Sequence, residues 1–184
     1  DALKSTPLKV WSTGASISVD TASTPGTLTA NITMSKLGEV FDLMYGDYKV
    51  PPWKNGKYVG ICSPKFARGL KADSDFQTWW SRGGGLGEIQ RGNNMLPDIE
   101  GFDLYVTNHY DALDNTIGTA DASGEAVFFG DDAGFLATVD EPELRAGPKE
   151  DLGRFSDVGW VGTIEAGLVW DVAAQARVFH WASA

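Results

Sequence analysis

The feature that most constrains the fold is an amphipathic pattern over residues 34–48, MSKLGEVFDLMYGDY. Its apolar side chains recur three and four positions apart, the spacing of one face of an α-helix. Thr33 is a suitable N-cap, and Pro51-Pro52 bars continuation of the helix. The pattern predicts a helix docked on the core of its own domain. Its inward positions are Leu37, Val40, Phe41, Met44, Tyr45 and Tyr48, and its outward positions are Lys36, Glu39, Asp42 and Asp47.

Most of the remaining chain shows the composition and alternation of strands and turns. Residues 1–32 are rich in Ser, Thr, Gly and Pro and have few apolar residues, so they must lean on another part of the fold. A second helix is predicted from Ser63-Pro64 onward, with Phe66, Ala67 and Leu70 facing inward. The predicted strands cover 58–62, 99–108, 126–130, 134–141 and, as long paired strands, 158–184. Two helices among many strands indicate an α+β domain with a mixed or antiparallel sheet.

The charge balance excludes some classes of partner. The chain has 15 basic and 25 acidic residues, a formal net charge of −10, and its basic residues are scattered. Such a surface repels nucleic acid and anionic membranes, so neither sequence-specific nucleic-acid binding nor membrane binding is expected. The one cysteine, Cys62, lies in the apolar run YVGIC and is expected to be a buried, small hydrophobic residue.

A glycine-rich stretch, WWSRGGGLGEIQRGNN over residues 79–94, suggests a phosphate loop at first sight. It contains neither G-x-G-x-x-G nor G-x-x-x-x-G-K-[ST], it follows a helix and not a strand, and Glu88 would repel an anion. We therefore expect a mobile connection from the second helix to the next strand. In this interpretation Trp79 and Trp80 close the helix end against the core, and the glycines lie at an interface.

One enzymatic hypothesis rests on a pair of acids. Asp98 and Glu100 are predicted to alternate on one strand and to point the same way, as the two carboxylates of a glycoside hydrolase must, with Glu88 as a substitute for one of them. The competing structural interpretation is that Pro97-Asp98 enters a turn and that both acids are solvated.

A second ligand-directed hypothesis rests on tryptophans. Trp53, Trp79 and Trp80 could stack sugars in a carbohydrate-binding, β-rich domain. Core packing is the competing explanation for such rings.

The other reactive residues form no recognisable set. His109 and His180 are the only imidazole bases, no G-x-S-x-G elbow is present, and closeness of His109 to Asp111 in sequence does not make a triad. His180 lies in RVFHWA, where a strand residue with a satisfied ring is expected.

The acidic loops also fall short of a metal site. Asp114, Asn115 and Asp121, together with Asp111, miss the calcium-loop spacing, and residues 130–134 are better explained as a turn. We expect no catalytic, cofactor-binding or metal-binding residue. The sequence is typical of a protein that packs against other proteins and is not an enzyme.

Four stretches, taken in order, resemble the major capsid (coat) proteins of tailed bacteriophages, which share the Hong Kong 97-type capsid fold. NGKYVGICSPKFARGLKAD (55–73) is similar to a strand–helix segment of their axial domain, and IEGFDLYVTNH (99–109) to a strand of the same domain. AVFFGDDAGFLATVDE (126–141) resembles a hairpin, and residues 151–184 resemble the closing strands, although DLGRFSDVGW follows the family pattern only loosely. The likeness covers residues 33–184 and is closest to the phage N4-like coat protein group.

The resemblance implies a division of the chain. Residues 1–32 would be an atypical strand-and-turn segment in place of the family's N-terminal arm, extended loop and long spine helix. Residues 33–141 would form an axial-domain-like core, and residues 142–184 the closing strands that return to the peripheral domain. It also implies that the chain corresponds to the C-terminal half of such a protein, as a fragment or a reduced relative.

The function implied by the resemblance is structural. Copies of the protein would form the hexamers and pentamers of an icosahedral capsid shell, with scaffolding or decoration proteins as further candidate partners. The protein would be made in the cytoplasm of the host bacterium and reside in the virion.

Overall fold

The computed structural model describes residues 2–21, 24–82, 95–109, 112–148, 157–170 and 172–184. These residues form three α-helices, one seven-stranded sheet and a separate two-stranded ribbon. The helices are α1 (Met34–Asp42), α2 (Pro64–Ala72) and α3 (Ser74–Arg82). The strands are β1 (Lys9–Ser12), β2 (Ile17–Asp20), β3 (Tyr58–Cys62), β4 (Met95–Ile99), β5 (Phe102–Val106), β6 (Ala126–Phe129), β7 (Gly134–Ala146), β8 (Val158–Leu168) and β9 (Val178–Trp181).

The seven-stranded sheet has the order β2-β1-β9-β6-β3-β5-β4. Two neighbouring pairs, β1 with β9 and β3 with β5, run parallel, and the other pairs run antiparallel. The sheet is therefore mixed, and the predicted α+β class is confirmed.

Helix α1 begins and packs largely as its sequence predicts. The Thr33 side chain caps it by accepting a hydrogen bond from the Lys36 backbone N–H, and Leu37 and Val40 are fully buried. Two of the predicted positions are wrong. Lys36 is only 4% exposed, because its Nζ reaches back to donate to the Asn31 carbonyl, 3.1 Å away. Tyr45 is 61% exposed, because the helix continues as a π-helical turn over Leu43–Asp47, which shifts the phase of the following side chains.

The core lies between the helices and one face of the sheet. Ser63 caps α2 as predicted, and Phe66, Ala67 and Leu70 of this helix are buried. Aromatic rings dominate the opposing sheet face. The fully buried ones are Tyr58, Phe102, Phe128, Phe179 and Trp181.

Two elements next to the glycine-rich stretch were not predicted. The tryptophan pair lies within a third helix, α3, where Phe76 is buried and Trp79 is 41% exposed. The expectation that these tryptophans close a helix end is therefore wrong for Trp79. Strand β4 was also missed, so residues 95–106 form a β4–β5 hairpin where a single strand was expected. Residues 83–94, including Glu88, lie outside the described residues.

The predicted hairpin over 126–141 is wrong. Strand β6 pairs with β3 and β9 in the main sheet, whereas β7 pairs with β8 in the ribbon. The chain changes direction at Gly130, which packs on the backbone of Pro51, and Asp131 N donates to the Pro51 carbonyl at 2.8 Å. Long paired strands over 158–184 are confirmed only for β8, since residues 173–175 form a 3₁₀ helix and β9 is short.

The N-terminal segment leans on the rest of the fold, as its composition predicts. Strand β1 lies between β2 and β9, and Leu8, Val10, Leu28 and Ile32 are buried. Residues 28–32 form no strand. They are held by hydrogen bonds from Thr29 N to the Ser12 carbonyl and from Leu28 N to Ser183 Oγ.

Gly118 tests how this segment is held. It has a φ of +83°, and an added methyl group would collide with the Leu28 carbonyl. We expect Gly118→Ala to lower the free energy of unfolding by about 1–3 kcal/mol. Gly46→Ala, at a glycine with open space around it, is the matched control and should change stability by less than about 1 kcal/mol. Urea denaturation measures both, and equal effects would contradict this packing.

Candidate functional site

The strongest candidate site is the ribbon formed by β7 and β8. The two strands pair antiparallel from Gly134↔Leu168 to Ala146↔Val158, with irregularities on the β7 side between Thr138 and Glu143. A strand of 13 residues is about 40 Å long, so the ribbon is a long element for a chain of this size.

The two faces of the ribbon differ in chemistry. Side chains alternate along a strand, so Val158, Trp160 and Ile164 of β8 share one face, together with Gly162, Ala166 and Leu168. Leu144 and Leu136 of β7 join this face, because they lie opposite Trp160 and Ala166. We call this set the apolar face, defined by Leu136, Leu144, Val158, Trp160 and Ile164.

The other face is mostly polar. Thr163 and Glu165 of β8 lie on it, and Thr163 Oγ1 contacts Asp140 Oδ2 at 3.5 Å. Arg145 pairs with Glu143 on the same side, opposite Gly159 and Val161 of β8.

The apolar face is exposed to solvent. Trp160 is 75% exposed and Leu136 is 71% exposed. The other three members of the apolar face are each more than half exposed. A two-stranded ribbon is marginally stable without a covering layer, and contiguous exposed apolar surface marks a site of interaction. The apolar face is therefore a candidate site of interaction.

The predicted pair of acids is not brought together on one strand. Asp98 lies near the end of β4 and Glu100 lies in the turn before β5, both with positive φ, at an irregularity in the β4–β5 pairing. Lys57 Nζ is 3.0 Å from the Asp98 carboxylate, whereas the Glu100 carboxylate lies beside Gly38 of α1. The prediction that they alternate and face the same way is wrong.

Trp53 and Trp79 of the sugar-binding hypothesis lie in separate elements. Trp53 is in the loop before β3, with the Lys54 ammonium 5.4 Å from its ring centre. Trp79 is in α3, with the Phe76 ring at 5.9 Å. Each ring is thus matched with a neighbour from its own segment.

The histidines also lie apart. His109 follows β5, and its backbone N–H donates to Thr107 Oγ1. Asp111 lies outside the described residues. His180, as predicted, lies in a strand and is buried, 5% exposed.

His180 belongs to a group of buried and half-buried charged residues that the sequence patterns did not indicate. Its Nδ1 is 3.0 Å from Lys9 Nζ. Its Nε2 is 3.3 Å from Glu125 Oε1, which is close enough for an ion pair, but the two groups are not aligned for a hydrogen bond. Glu125 Oε2 is 2.8 Å from Lys4 Nζ and accepts from Asp114 N at 2.8 Å. We call Lys4, Lys9, Glu125 and His180 the charge cluster. The available signal was a lysine inside the apolar run LKVW and a glutamate before AVFF.

The pKa values in the charge cluster follow from this geometry. Burial works against ionised Glu125, but contacts with His180, Lys4 and the Asp114 amide outweigh it and lower its pKa to about 2. Burial lowers the pKa of His180, against the opposing attraction of Glu125. Burial also lowers the pKa of Lys9.

The candidate metal ligands serve the fold. Asn115 Oδ1 accepts a hydrogen bond from the Lys65 N–H in the first turn of α2, and the Asp114 N–H donates to Glu125. Within the described ranges, no group of three or more potential ligands is placed to hold a metal ion. No helix in the same ranges has the length and apolarity to cross a membrane.

Comparison with known proteins identifies the fold. No protein-family model matches the chain, and no curated protein matches it in sequence. Solved structures do match. The capsid asymmetric unit of cyanophage Pam1 has a TM-score of 0.63 at 18% identity, covering 86% of this chain and 49% of that one. The capsid of Ralstonia phage GP4 has a TM-score of 0.59 at 16% identity, and the match covers 100% of this chain and 53% of that one. The acidic stable capsid of Helicobacter pylori bacteriophage KHP30 has a TM-score of 0.57 at 16% identity, covering 86% and 60%.

The chain therefore has the phage capsid protein fold of the Hong Kong 97 type, as its ordered motifs predict. It spans between 49% and 60% of the length of these capsid proteins. The closer likeness to the phage N4 group stays a prediction.

Cys62 provides a test of the closed core. The side chain is fully buried, and burial raises the pKa of its thiol to about 12. We expect iodoacetamide at pH 8 to modify the folded protein at least about a hundredfold more slowly than the protein in guanidinium, because the thiolate is the reacting species. Mass spectrometry of the labelled protein measures both rates, and comparable rates would show that this core is open.

Proposed function

We propose that this chain is a structural subunit of a tailed-phage capsid, and that it acts by self-association into the shell. The observation that carries the proposal is the exposed apolar face of the ribbon, on a chain with the capsid protein fold. The seven-stranded sheet and its helices would form the part around the capsomer axis, and the ribbon would reach into the peripheral part. The predicted division at residues 32 and 141 stays a prediction and differs from these two parts, because β1, β2 and β9 belong to the sheet and residue 141 lies within β7.

Burial of the apolar face supplies the driving force. Removing apolar surface from water contributes about 25 cal/mol for each Å², and a tryptophan and four branched side chains make this face a large contributor. The formal net charge of −10 opposes association, because like-charged subunits repel each other. We therefore expect added salt to favour assembly by screening that repulsion.

The positions of the reactive side chains are consistent with a structural role that involves no catalysis. Asp98 is paired with Lys57, Glu100 lies beside α1, and Cys62 is enclosed in the core. No observation favours the glycoside hydrolase or the carbohydrate-binding alternative.

The proposed partners are further copies of the protein. Scaffolding or decoration proteins are secondary candidates. The proposed location is the virion, after synthesis in the cytoplasm of the host bacterium.

Two neighbouring substitutions on β8 test the proposal. Ile164→Lys places a charge on the apolar face, whereas Thr163→Lys places the same charge one residue away on the polar face, beside the Asp140 carboxylate. We expect Ile164→Lys to reduce assembly at least about tenfold, because a buried unpaired ammonium costs more than a few kcal/mol. Thr163→Lys should assemble within about twofold of the parent. Sedimentation velocity and electron microscopy of the products measure both.

The paired design separates assembly from folding. Circular dichroism should show the same secondary-structure content in both variants and in the parent. Equal assembly of the two variants, or a parent that stays monomeric at high concentration and salt, would contradict the proposal.

A further inference from the structure

The charge cluster lies where the two ends of the chain meet in the main sheet. Lys4 lies in the N-terminal 3₁₀ helix and Lys9 in β1. Glu125 directly precedes β6, and His180 lies in β9. The apolar Val127 of β6 lies directly opposite His180 on its other side. Lys4, Lys9 and Glu125 are the charged groups that face the ring from these packed elements.

The contact with Lys9 favours one tautomer of neutral His180. The Lys9 ammonium has only protons to donate, and it is 3.0 Å from Nδ1. Nδ1 must therefore be the unprotonated nitrogen, and the ring proton of the neutral form lies on Nε2, towards Glu125 Oε1. The cluster is closed around a neutral histidine.

A second ring proton would turn this contact into a repulsive one. It would place an N–H at Nδ1 against the Lys9 ammonium, donor against donor and positive against positive. The site would then hold three cations and one carboxylate, mostly out of water, which is unfavourable.

We propose that the His180–Lys9 contact is an acid-sensitive latch, which holds residues 2–20 on the sheet at neutral pH and loosens them when His180 gains a proton. This inference goes beyond the proposed capsid role and does not depend on it, since the latch lies within one chain.

The backbone pairing that joins these elements to the rest of the sheet is short. Strand β1 pairs with β9 over only two residue pairs, Lys9↔His180 and Val10↔Trp181, and β2 pairs only with β1. Thr6 adds one hydrogen bond, from its Oγ1 to the Val178 carbonyl at 2.6 Å. Leu8 and Val10 remain buried when the Lys9 contact is lost, so its loss loosens the segment locally and does not release it from the core.

The direction of the pH dependence follows from the pKa shift. The pKa of His180 is lowered in the folded state by burial, so the open state binds the proton more readily. The latch is fully stabilising above the ordinary histidine value of 6.5, and its contribution is lost as the pH falls from there towards the lowered pKa. Glu125, with a pKa of about 2, stays ionised through this window.

Hydrogen–deuterium exchange of the full chain, at pH 7.5, 6.5 and 5.5, tests the latch. After correction for intrinsic exchange, protection of residues 2–20 should fall by up to about tenfold for each pH unit below 6.5, the limit set by one proton. Peptides covering β3 and α2 (58–72) should keep their protection and serve as the internal reference.

Variants assign the effect to one residue. His180→Gln keeps an acceptor and a donor but cannot gain a proton, so it should abolish the pH dependence of residues 2–20. His109→Gln, at the only other histidine, should leave it unchanged. If His180→Gln does not fold, Lys9→Met is measured instead. It removes the cation facing Nδ1 but not the burial, so the fall in protection should end at a higher pH than in the parent.

Two results would overturn the latch. One is constant relative protection of residues 2–20 from pH 7.5 to 5.5 in the parent. The other is a His180→Gln variant that shows the same pH dependence as the parent. Where Lys9→Met is measured in place of His180→Gln, the same result in Lys9→Met would overturn the latch.

Discussion

The pairing of β6 with two antiparallel neighbours is the interaction on which the main sheet depends. Its four residues join β3 on one side and β9 on the other, so they connect the β3-β5-β4 half to the β9-β1-β2 half. The ring centre of Phe128 lies 5.9 Å from that of Phe66 and 5.1 Å from that of Phe102, so β6 also packs against α2 and β5. Glu125 and Gly130, just outside the strand, organise the charge cluster and the turn towards the ribbon.

The two candidate functions lie on either side of this strand. On one side the chain leaves the sheet at Gly130 and extends into a ribbon whose apolar face is uncovered. On the other side the ends of the chain are joined through few backbone pairs and a cluster of charges. The sheet thus carries two elements, the ribbon and the N-terminal segment, for which we propose association and local opening.

Local signals in the sequence predicted local structure. The caps Thr33 and Ser63, the periodicity of the first two helices and the apolar runs of β3 and β6 located these elements, and the alternation of β8 can be seen directly in the sequence. Pairing partners could not be predicted, because alternation identifies the faces of a strand and not its neighbour. Thus β6 and β7 appeared to form a hairpin, and the irregular β4–β5 pairing separated Asp98 from Glu100. The charge cluster was missed because its members are far apart in sequence.

Electron cryomicroscopy of assembled particles tests the central claim most directly, namely that the apolar face of the ribbon is covered in the shell. The account predicts closed particles in which Leu144, Trp160 and Ile164 contact protein, while Thr163 and Glu165 on the opposite face remain more accessible to solvent. Particles in which the apolar face points into solvent, or a protein that forms no assembly under any condition that keeps it folded, would contradict the account.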